Sequence, residues 1–227
     1  DRIAARGRRL AGHILEAAEP DIEFQDGTFR IAGTDRAIHI LELAERAKGA
    51  RNLPPDVPPT LDDVGTSTAD KNTFPNGCHI CEIEIDPETG ASQLCRYTVA
   101  DDFGRIVNPL IVEGQIQGGV AQGLGQIFLE GAVYDPESGQ LLTGSFTDYA
   151  LPRAGDMPPI EVRFNEVPCT TNAFGMKGAG EAGSVGSLAA AMNAVLDALA
   201  PLGVRTLDMP ATPARLRAAI MAAQAGV

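Results

Sequence analysis

Two turn signals, each flanked by alternating sequence, most constrain the fold of this chain. Gln25-Asp26-Gly27 separates DIEF from TFRI, and Pro87-Glu88-Thr89-Gly90 separates CHICEIEID from SQLCRYTVAD. Alternating apolar and polar residues are typical of strands with one buried face, and Asp-Gly readily adopts the positive φ angles of a tight turn. The sequence therefore predicts two β-hairpins. Further strands are predicted at residues 141–146 and 160–164.

Helical periodicity occupies most of the remaining chain. Apolar residues recur three or four positions apart in residues 3–18, 36–48, 109–129, 184–199 and 213–223. Strands and helices do not alternate as regular βαβ units, so the predicted fold class is α+β, with mixed hairpins packed with helices. Prolines and small polar residues fill residues 54–76. We therefore predict an N-terminal helix, hairpin and helix in residues 1–76 and a second α+β region in residues 77–227.

Charge and composition narrow the classes of partner. The 227 residues carry a formal charge of −12, and 44% of them are hydrophobic. An acidic chain is a poor match for nucleic acid or an anionic membrane, which both attract clustered Lys and Arg. No apolar run approaches the roughly 20 residues that span a bilayer. We expect a cytoplasmic protein that binds a small molecule or another protein, not nucleic acid or a membrane.

Four cysteines are too few for a disulfide framework in a chain of this length. They are Cys78, Cys81, Cys95 and Cys169. Cys78-His79-Ile80-Cys81 has the spacing of a metal motif, but positions i and i+3 of a strand face opposite ways. We therefore expect reduced thiols and no metal ligand, and we assign no catalytic role to the three histidines, His13, His39 and His79.

The predicted helix at residues 109–129 is unusually rich in glycine. Its glycines are Gly114, Gly118, Gly119, Gly123 and Gly125. Each interior glycine costs a helix about 0.5–1 kcal/mol relative to alanine, so five of them need a reason. Close packing against another helix and close approach of a ligand both supply one. The residues alone leave the two explanations open.

The loop Lys177–Ser184, KGAGEAGS, precedes another predicted helix. Glycines let backbone N–H groups converge, and a helix N-terminus favours anions, so this loop is suited to bind a phosphate group. Glycines at 178, 180 and 183 match the G-x-G-x-x-G spacing of dinucleotide-binding proteins. That fingerprint also needs a preceding strand and an acidic residue about 20 positions later, and Asp197 lies inside the predicted helix. Glu181 has a simpler explanation as a negative charge at a helix start.

Three segments together resemble a known family. EGQIQGGVAQGLGQ (113–126), TGSFTDYALP (143–152) and MKGAGEAG (176–183) resemble the xanthine dehydrogenase/aldehyde oxidase family of molybdenum hydroxylases, most closely the group with aerobic carbon monoxide dehydrogenase large subunits. The resemblance implies that the chain is the C-terminal molybdopterin-binding domain of such a large subunit. It implies an oxidoreductase that oxidises an aldehyde, an N-heterocycle or a CO-like molecule with water-derived oxygen.

The resemblance also implies roles for particular residues. In this family the glutamate of the K-G-x-G-E motif is the active-site base, which here is Glu181. The glutamine of the first G-Q pair, here Gln115, lies beside the metal's oxo group and the pterin. The remaining implied cofactor-binding residues are Gly114, Gly118, Gly119, Lys177, Gly178, Ala179 and Gly180.

Cofactors and partners follow from the same resemblance. The implied cofactor is molybdenum-bearing molybdopterin in its cytosine dinucleotide form, with 2Fe-2S and FAD carried by other domains or subunits. In the family, the rest of the cofactor site and the substrate loops precede this region, so we expect the isolated chain to bind no cofactor and to be inactive. Two other hypotheses are a non-catalytic binding or assembly module with the same fold and, from the glycine spacing alone, an NAD-dependent dehydrogenase.

Overall fold

The computed structural model describes residues 1–66, 68 and 71–226. Their contacts divide the chain into two compact units, Asp1–Thr68 and Ala69–Val227. The sequence placed the boundary later, between residues 76 and 77, in the same Pro-rich stretch. Each unit has its own hydrophobic core.

The first unit packs two helices on a small antiparallel sheet. Its elements are α1 (Arg2–Leu15), β1 (Ile22–Gln25), β2 (Thr28–Ile31), β3 (Ala37–His39) and α2 (Ile40–Lys48). The predicted hairpin is confirmed, since β1 pairs with β2 and Asp26 and Gly27 adopt φ angles of 48° and 73°. α1 lies directly on this sheet, because a Cβ on Gly7 would stand 2.1 Å from the Phe29 ring.

The predicted start of the second helix is wrong. The helix begins at Ile40, whereas Ala37–His39 form β3, which pairs with β2. This pairing sets Ile38 opposite Phe29 and buries both side chains. The His39 side chain then caps α2 by accepting a hydrogen bond from the backbone N–H of Leu41.

The second unit packs three helices on a three-stranded sheet. Its elements are β4 (Asn76–Ile85), β5 (Ser92–Asp102), α3 (Pro109–Phe128), β6 (Ile160–Phe164), α4 (Ala182–Leu199) and α5 (Pro213–Ala225). β4 and β5 form the predicted antiparallel hairpin, and β6 joins β5 in parallel. The α+β fold class is thus confirmed.

One predicted strand of this unit does not form. Within residues 141–146 only Leu141 makes a β-bridge, with Tyr134. The chain turns at Ser145 instead, where the backbone N–H of Asp148 donates to the Ser145 carbonyl and the Ser145 hydroxyl donates to the Asp148 carboxylate. Local Ser and Asp hydrogen bonds of this kind compete with strand pairing.

The core of the second unit lies between the sheet and its helices. Fully buried side chains include Tyr97, Val99, Ile116, Val120, Leu124, Ile127, Val195, Leu216 and Ile220. The hairpin turn before β5 contacts α5, since a Cβ on Gly90 would stand 2.1 Å from the Pro213 carbonyl oxygen. The positive φ of Gly90, 75°, also favours glycine there.

α4 is longer and more apolar than the sequence reading allowed. Ala182–Leu202 has the length and composition to cross a bilayer, so the expectation that no apolar run approaches that length is wrong. A core helix of a soluble protein passes the same test. In the described part of the chain, α4 packs along α3 and β4 and buries Ser187, Ala191 and Val195.

Candidate functional site

α3 and α4 approach each other through glycine. A Cβ on Gly119 would stand 2.9 Å from the backbone nitrogen of Ser184, and one on Gly183 would stand 2.5 Å from the Ile116 carbonyl oxygen. One turn later, a Cβ on Gly123 would stand 1.9 Å from the Ser187 hydroxyl. Helix packing therefore explains Gly119 and Gly123, one of the two explanations that the sequence left open.

The register of this contact places Gln115 beside the motif loop. Because Gly119 meets Gly183 and Gly123 meets Ser187, the two helices run in the same direction. Gln115 lies one turn before Gly119 on the same side of α3. It is exposed, at the level of the residues that precede α4.

Glu181 is the N-cap residue of α4, but its side chain makes no capping hydrogen bond. Its φ and ψ angles are −112° and −8°, and the residue is exposed. The Ser184 hydroxyl donates to the Glu181 carbonyl, so the backbone here is held while the carboxylate is not. The first N–H groups of a helix have no partner inside it and carry a partial positive charge. The free carboxylate of Glu181 stands next to them.

Lys177 anchors the motif loop to the end of β5. Its backbone N–H donates to the Phe103 carbonyl at 2.8 Å, and its ammonium group donates to the Asp102 carboxylate. The other Asp102 oxygen accepts from the backbone N–H groups of Gly104 and Val167. Burial alone would raise the pKa of Asp102, but these hydrogen bonds and the charge of Lys177 outweigh it and hold that pKa below its usual value.

Other motif glycines face open space. No described heavy atom lies within 4 Å of a Cβ built on Gly114, Gly118, Gly178 or Gly180. The backbone at these positions is therefore accessible to a ligand. The structure thus separates the open glycines from Gly119, which packs against α4, and from Lys177, whose ammonium group is engaged by Asp102.

A cavity of about 300 Å³ lies beside Glu181, between the start of α4 and the start of β4. His79 and Asp101 also line it. The sequence analysis assigned no role to His79, although the alternation of residues along the strand indicates that its side chain is buried. Strand alternation sets His79 on the same half-buried face of β4 as Cys81 and Ile83, which pack on the core, so a polar ring points inward.

Comparisons with known proteins show what the chain is similar to. A family model described as a molybdopterin cofactor-binding domain matches residues 1–158. The chain is 37% identical over 209 residues to the large subunit of nicotine 6-hydroxylase from Paenarthrobacter nicotinovorans, covering 91% of this chain and 26% of that protein.

Two solved structures also match. Reconstituted CO dehydrogenase from Oligotropha carboxidovorans superposes with a TM-score of 0.86 at 32% identity, over 99% of this chain and 28% of that one. Quinoline 2-oxidoreductase from Pseudomonas putida 86 gives a TM-score of 0.82 at 38% identity, over 96% of this chain and 28% of that one.

The chain spans about a quarter of the length of the curated relatives that it matches. The motif loop lies beyond the residues matched by the family model, but the match to CO dehydrogenase covers nearly the whole chain. The chain therefore belongs to the molybdopterin cofactor-binding domains of the xanthine dehydrogenase/aldehyde oxidase family of molybdenum hydroxylases.

Proposed function

We propose that the whole protein is a molybdenum-containing oxidoreductase that hydroxylates a small molecule with water-derived oxygen, and that Glu181 is its active-site base. The observation that carries the proposal is the Glu181 carboxylate at the start of α4, which makes no capping hydrogen bond in the described part of the chain. A capping carboxylate would be occupied by backbone N–H groups. This one remains available to a substrate.

The open glycines fit a bound pterin cofactor. Side chains at Gly178 and Gly180 would fill the space in front of the motif loop, where nothing else lies within 4 Å. We propose that the backbone of Gly178, Ala179 and Gly180 approaches the cofactor, with Gly114 and Gly118 opening the adjacent face of α3. The proposed cofactor is the cytosine dinucleotide form of molybdenum-bearing molybdopterin.

Gly119 and Lys177 serve this site in a different way. Gly119 sets the distance between α3 and α4, and Lys177 fixes the loop through Asp102. Both positions support the proposed cofactor-binding surface through packing and an ion pair. Any contact of theirs with the cofactor would be made by backbone atoms.

We propose different roles for the side chains of Glu181 and Gln115. The molybdenum cofactor, when bound, supplies the redox centre. Glu181 accepts a proton during the reaction, for which its carboxylate has to be ionised, and the N–H groups at the start of α4 favour that charge. Gln115 is neutral, so its amide can donate a hydrogen bond to the cofactor without changing the charge of the site.

The relatives indicate the substrate class and the assembly. One acts on nicotine, one on CO and one on quinoline by their names. We propose an N-heterocycle, an aldehyde or a CO-like molecule as the substrate of this protein. The relative named as a large subunit supports an assembly with further subunits. We propose that the partners are the remainder of the large subunit and the domains or subunits that carry 2Fe-2S and FAD, in a cytoplasmic complex.

The test uses the full-length protein purified with its native subunits. Molybdenum and released cytidine nucleotide are measured first, and turnover of nicotine, quinoline, benzaldehyde and CO with a dye acceptor is measured next. The proposal predicts near-stoichiometric metal and turnover of at least one compound class. Absence of molybdenum would overturn it, and bound molybdenum with no turnover would favour the non-catalytic module.

A further inference from the structure

The first turn of α4 is held from two sides. α3 holds it through the contact of Gly119 with Gly183. On the β4 side the contact is with His79, because a Cβ on Gly186 would stand 2.6 Å from three atoms of the imidazole ring. These two contacts therefore set the position of the helix start from which the Glu181 side chain extends.

The His79 ring is itself fixed by two residues of β5. His79 pairs with Val99, so Tyr97 and Asp101 are its diagonal neighbours on the same face of the sheet. The Tyr97 hydroxyl lies 2.8 Å from Nδ1, and an Asp101 carboxylate oxygen lies 3.5 Å from Nε2. Burial first, and then the charges of Cys81 and Asp101, raise the pKa of Tyr97, which keeps its proton. Tyr97 and Nδ1 therefore share a hydrogen bond between neutral groups, and Nε2 faces the Asp101 carboxylate.

Asp101 has features that packing alone does not explain. Its carboxylate is 3% exposed, and its Oδ2 atom has no hydrogen-bond donor among the described residues. Gly77 makes room for it, because a Cβ there would stand 1.8 Å from Oδ1. A buried carboxylate with one unsatisfied oxygen is costly, and such groups concentrate where they have a function. Asp101 lines the same cavity as Glu181.

We propose that His79 is a positioning residue for Glu181: its ring, held between Tyr97 and Asp101, braces α4 at Gly186 and sets the place of the Glu181 carboxylate in the cavity. This inference rests on the proposed function of Glu181. His79 itself touches neither substrate nor cofactor in this account.

The first measurement is hydrogen–deuterium exchange in the molybdenum-loaded full-length enzyme. His79→Phe keeps a ring but removes the hydrogen bond with Tyr97 and the polar contact with Asp101. The amides of residues 185–188, the first of α4 with acceptors inside the helix, should therefore exchange at least tenfold faster, while those of α5 should not change. His79→Gln keeps an N–H donor for Asp101 and should restore most of the protection. Unchanged exchange in His79→Phe would overturn the proposal.

The second measurement separates positioning from stability. Misplacement of a reacting group by about 1 Å costs on the order of 10²-fold in rate, so kcat per bound molybdenum should fall by about that factor in His79→Phe, with KM little changed. A merely structural role would lower thermal stability and metal content but leave the rate per molybdenum unaltered. That result would contradict positioning.

A pair of glycine variants covers the case in which His79→Phe does not fold. The Cβ of Gly186→Ala would displace the His79 ring, so this variant should show the same faster exchange and lower kcat. In the control Gly155→Ala the new Cβ meets nothing within 4 Å, so neither the exchange nor kcat should change. Equal behaviour of the two variants would overturn the proposal. Glu181→Gln is measured in parallel: if it turns over normally, the proposed function fails, and if it alone is inactive, only the positioning role fails.

Discussion

The ammonium group of Lys177, in the motif loop, donates to the buried carboxylate of Asp102 at the end of β5. The side chains of Lys177 and Asp102 are 11% and 6% exposed, so solvent screens the pair little. The lysine of the motif thereby ties the loop before Glu181 to the central sheet. The same pair has consequences for stability and for its pH dependence.

Asp102→Asn should destabilise the second unit by roughly 3 kcal/mol, because removal of one partner leaves a buried charge uncompensated. The folded pKa of Asp102 is lowered, so its stabilisation is present above the unfolded pKa of about 3.9 and is lost as pH falls through the folded value. Urea unfolding between pH 7 and pH 3 measures both effects. The variant should lose less stability than the wild type in acid, and the exposed Asp208→Asn serves as control. Equal acid sensitivity of all three proteins would contradict the role of this pair.

Alanine substitutions should separate the packing glycines from the open ones. Gly183→Ala sets a Cβ 2.5 Å from a backbone oxygen and should cost about 1–3 kcal/mol through overpacking. Gly118→Ala meets nothing within 4 Å and should raise helix stability by about 0.5–1 kcal/mol. In the full-length enzyme, however, Gly118→Ala should lower molybdenum occupancy. Thermal unfolding and metal analysis give the two readouts, and a normal metal content in Gly118→Ala would remove this glycine from the proposed site.

The four thiols should react with alkylating reagents at different rates. Burial first, then the neighbouring Cys95 and Glu82 charges, raise the pKa of Cys81 to about 11. The hydrogen bond with Thr171 instead lowers the pKa of Cys169. Because the thiolate is the reactive form, Cys81 should be alkylated at least tenfold more slowly than Cys169 at pH 7.5. Time-resolved peptide mass spectrometry tests the order, and rapid labelling of Cys81 in folded protein would contradict its burial.

Elements with strong local signals could be predicted from the sequence. The hairpin at Asp26-Gly27 formed because both residues accept positive φ angles, and the helix predicted at residues 109–129 from its periodicity forms over Pro109–Phe128. β3 was missed because its residues become a strand only through pairing with β2. The β-propensity of these residues does not reflect that non-local pairing.

The sequence predicted the motif loop of the candidate site but not the residues that hold it in place. The family resemblance of the three segments predicts Glu181 and Gln115 as site residues, and their roles stay predictions. Sequence alone could not show that Gly119 faces another helix while Gly118 faces open space, since adjacent helix positions point about 100° apart. His79 was overlooked because Tyr97, Asp101 and Gly186, which define its place, lie far from it along the chain.

The proposed function depends most directly on the carboxylate of Glu181. The decisive measurement is the turnover rate per bound molybdenum of the full-length enzyme with Glu181→Gln, with Gln115→Ala as the matched comparison. The amide keeps the size of the side chain but is no base, so Glu181→Gln should bind molybdenum normally and lose about 10²–10⁴-fold in kcat. Gln115→Ala should lower metal occupancy or reduce the rate moderately. A normal rate per molybdenum in Glu181→Gln would show that Glu181 is only a charge at a helix start, and it would contradict the proposed function.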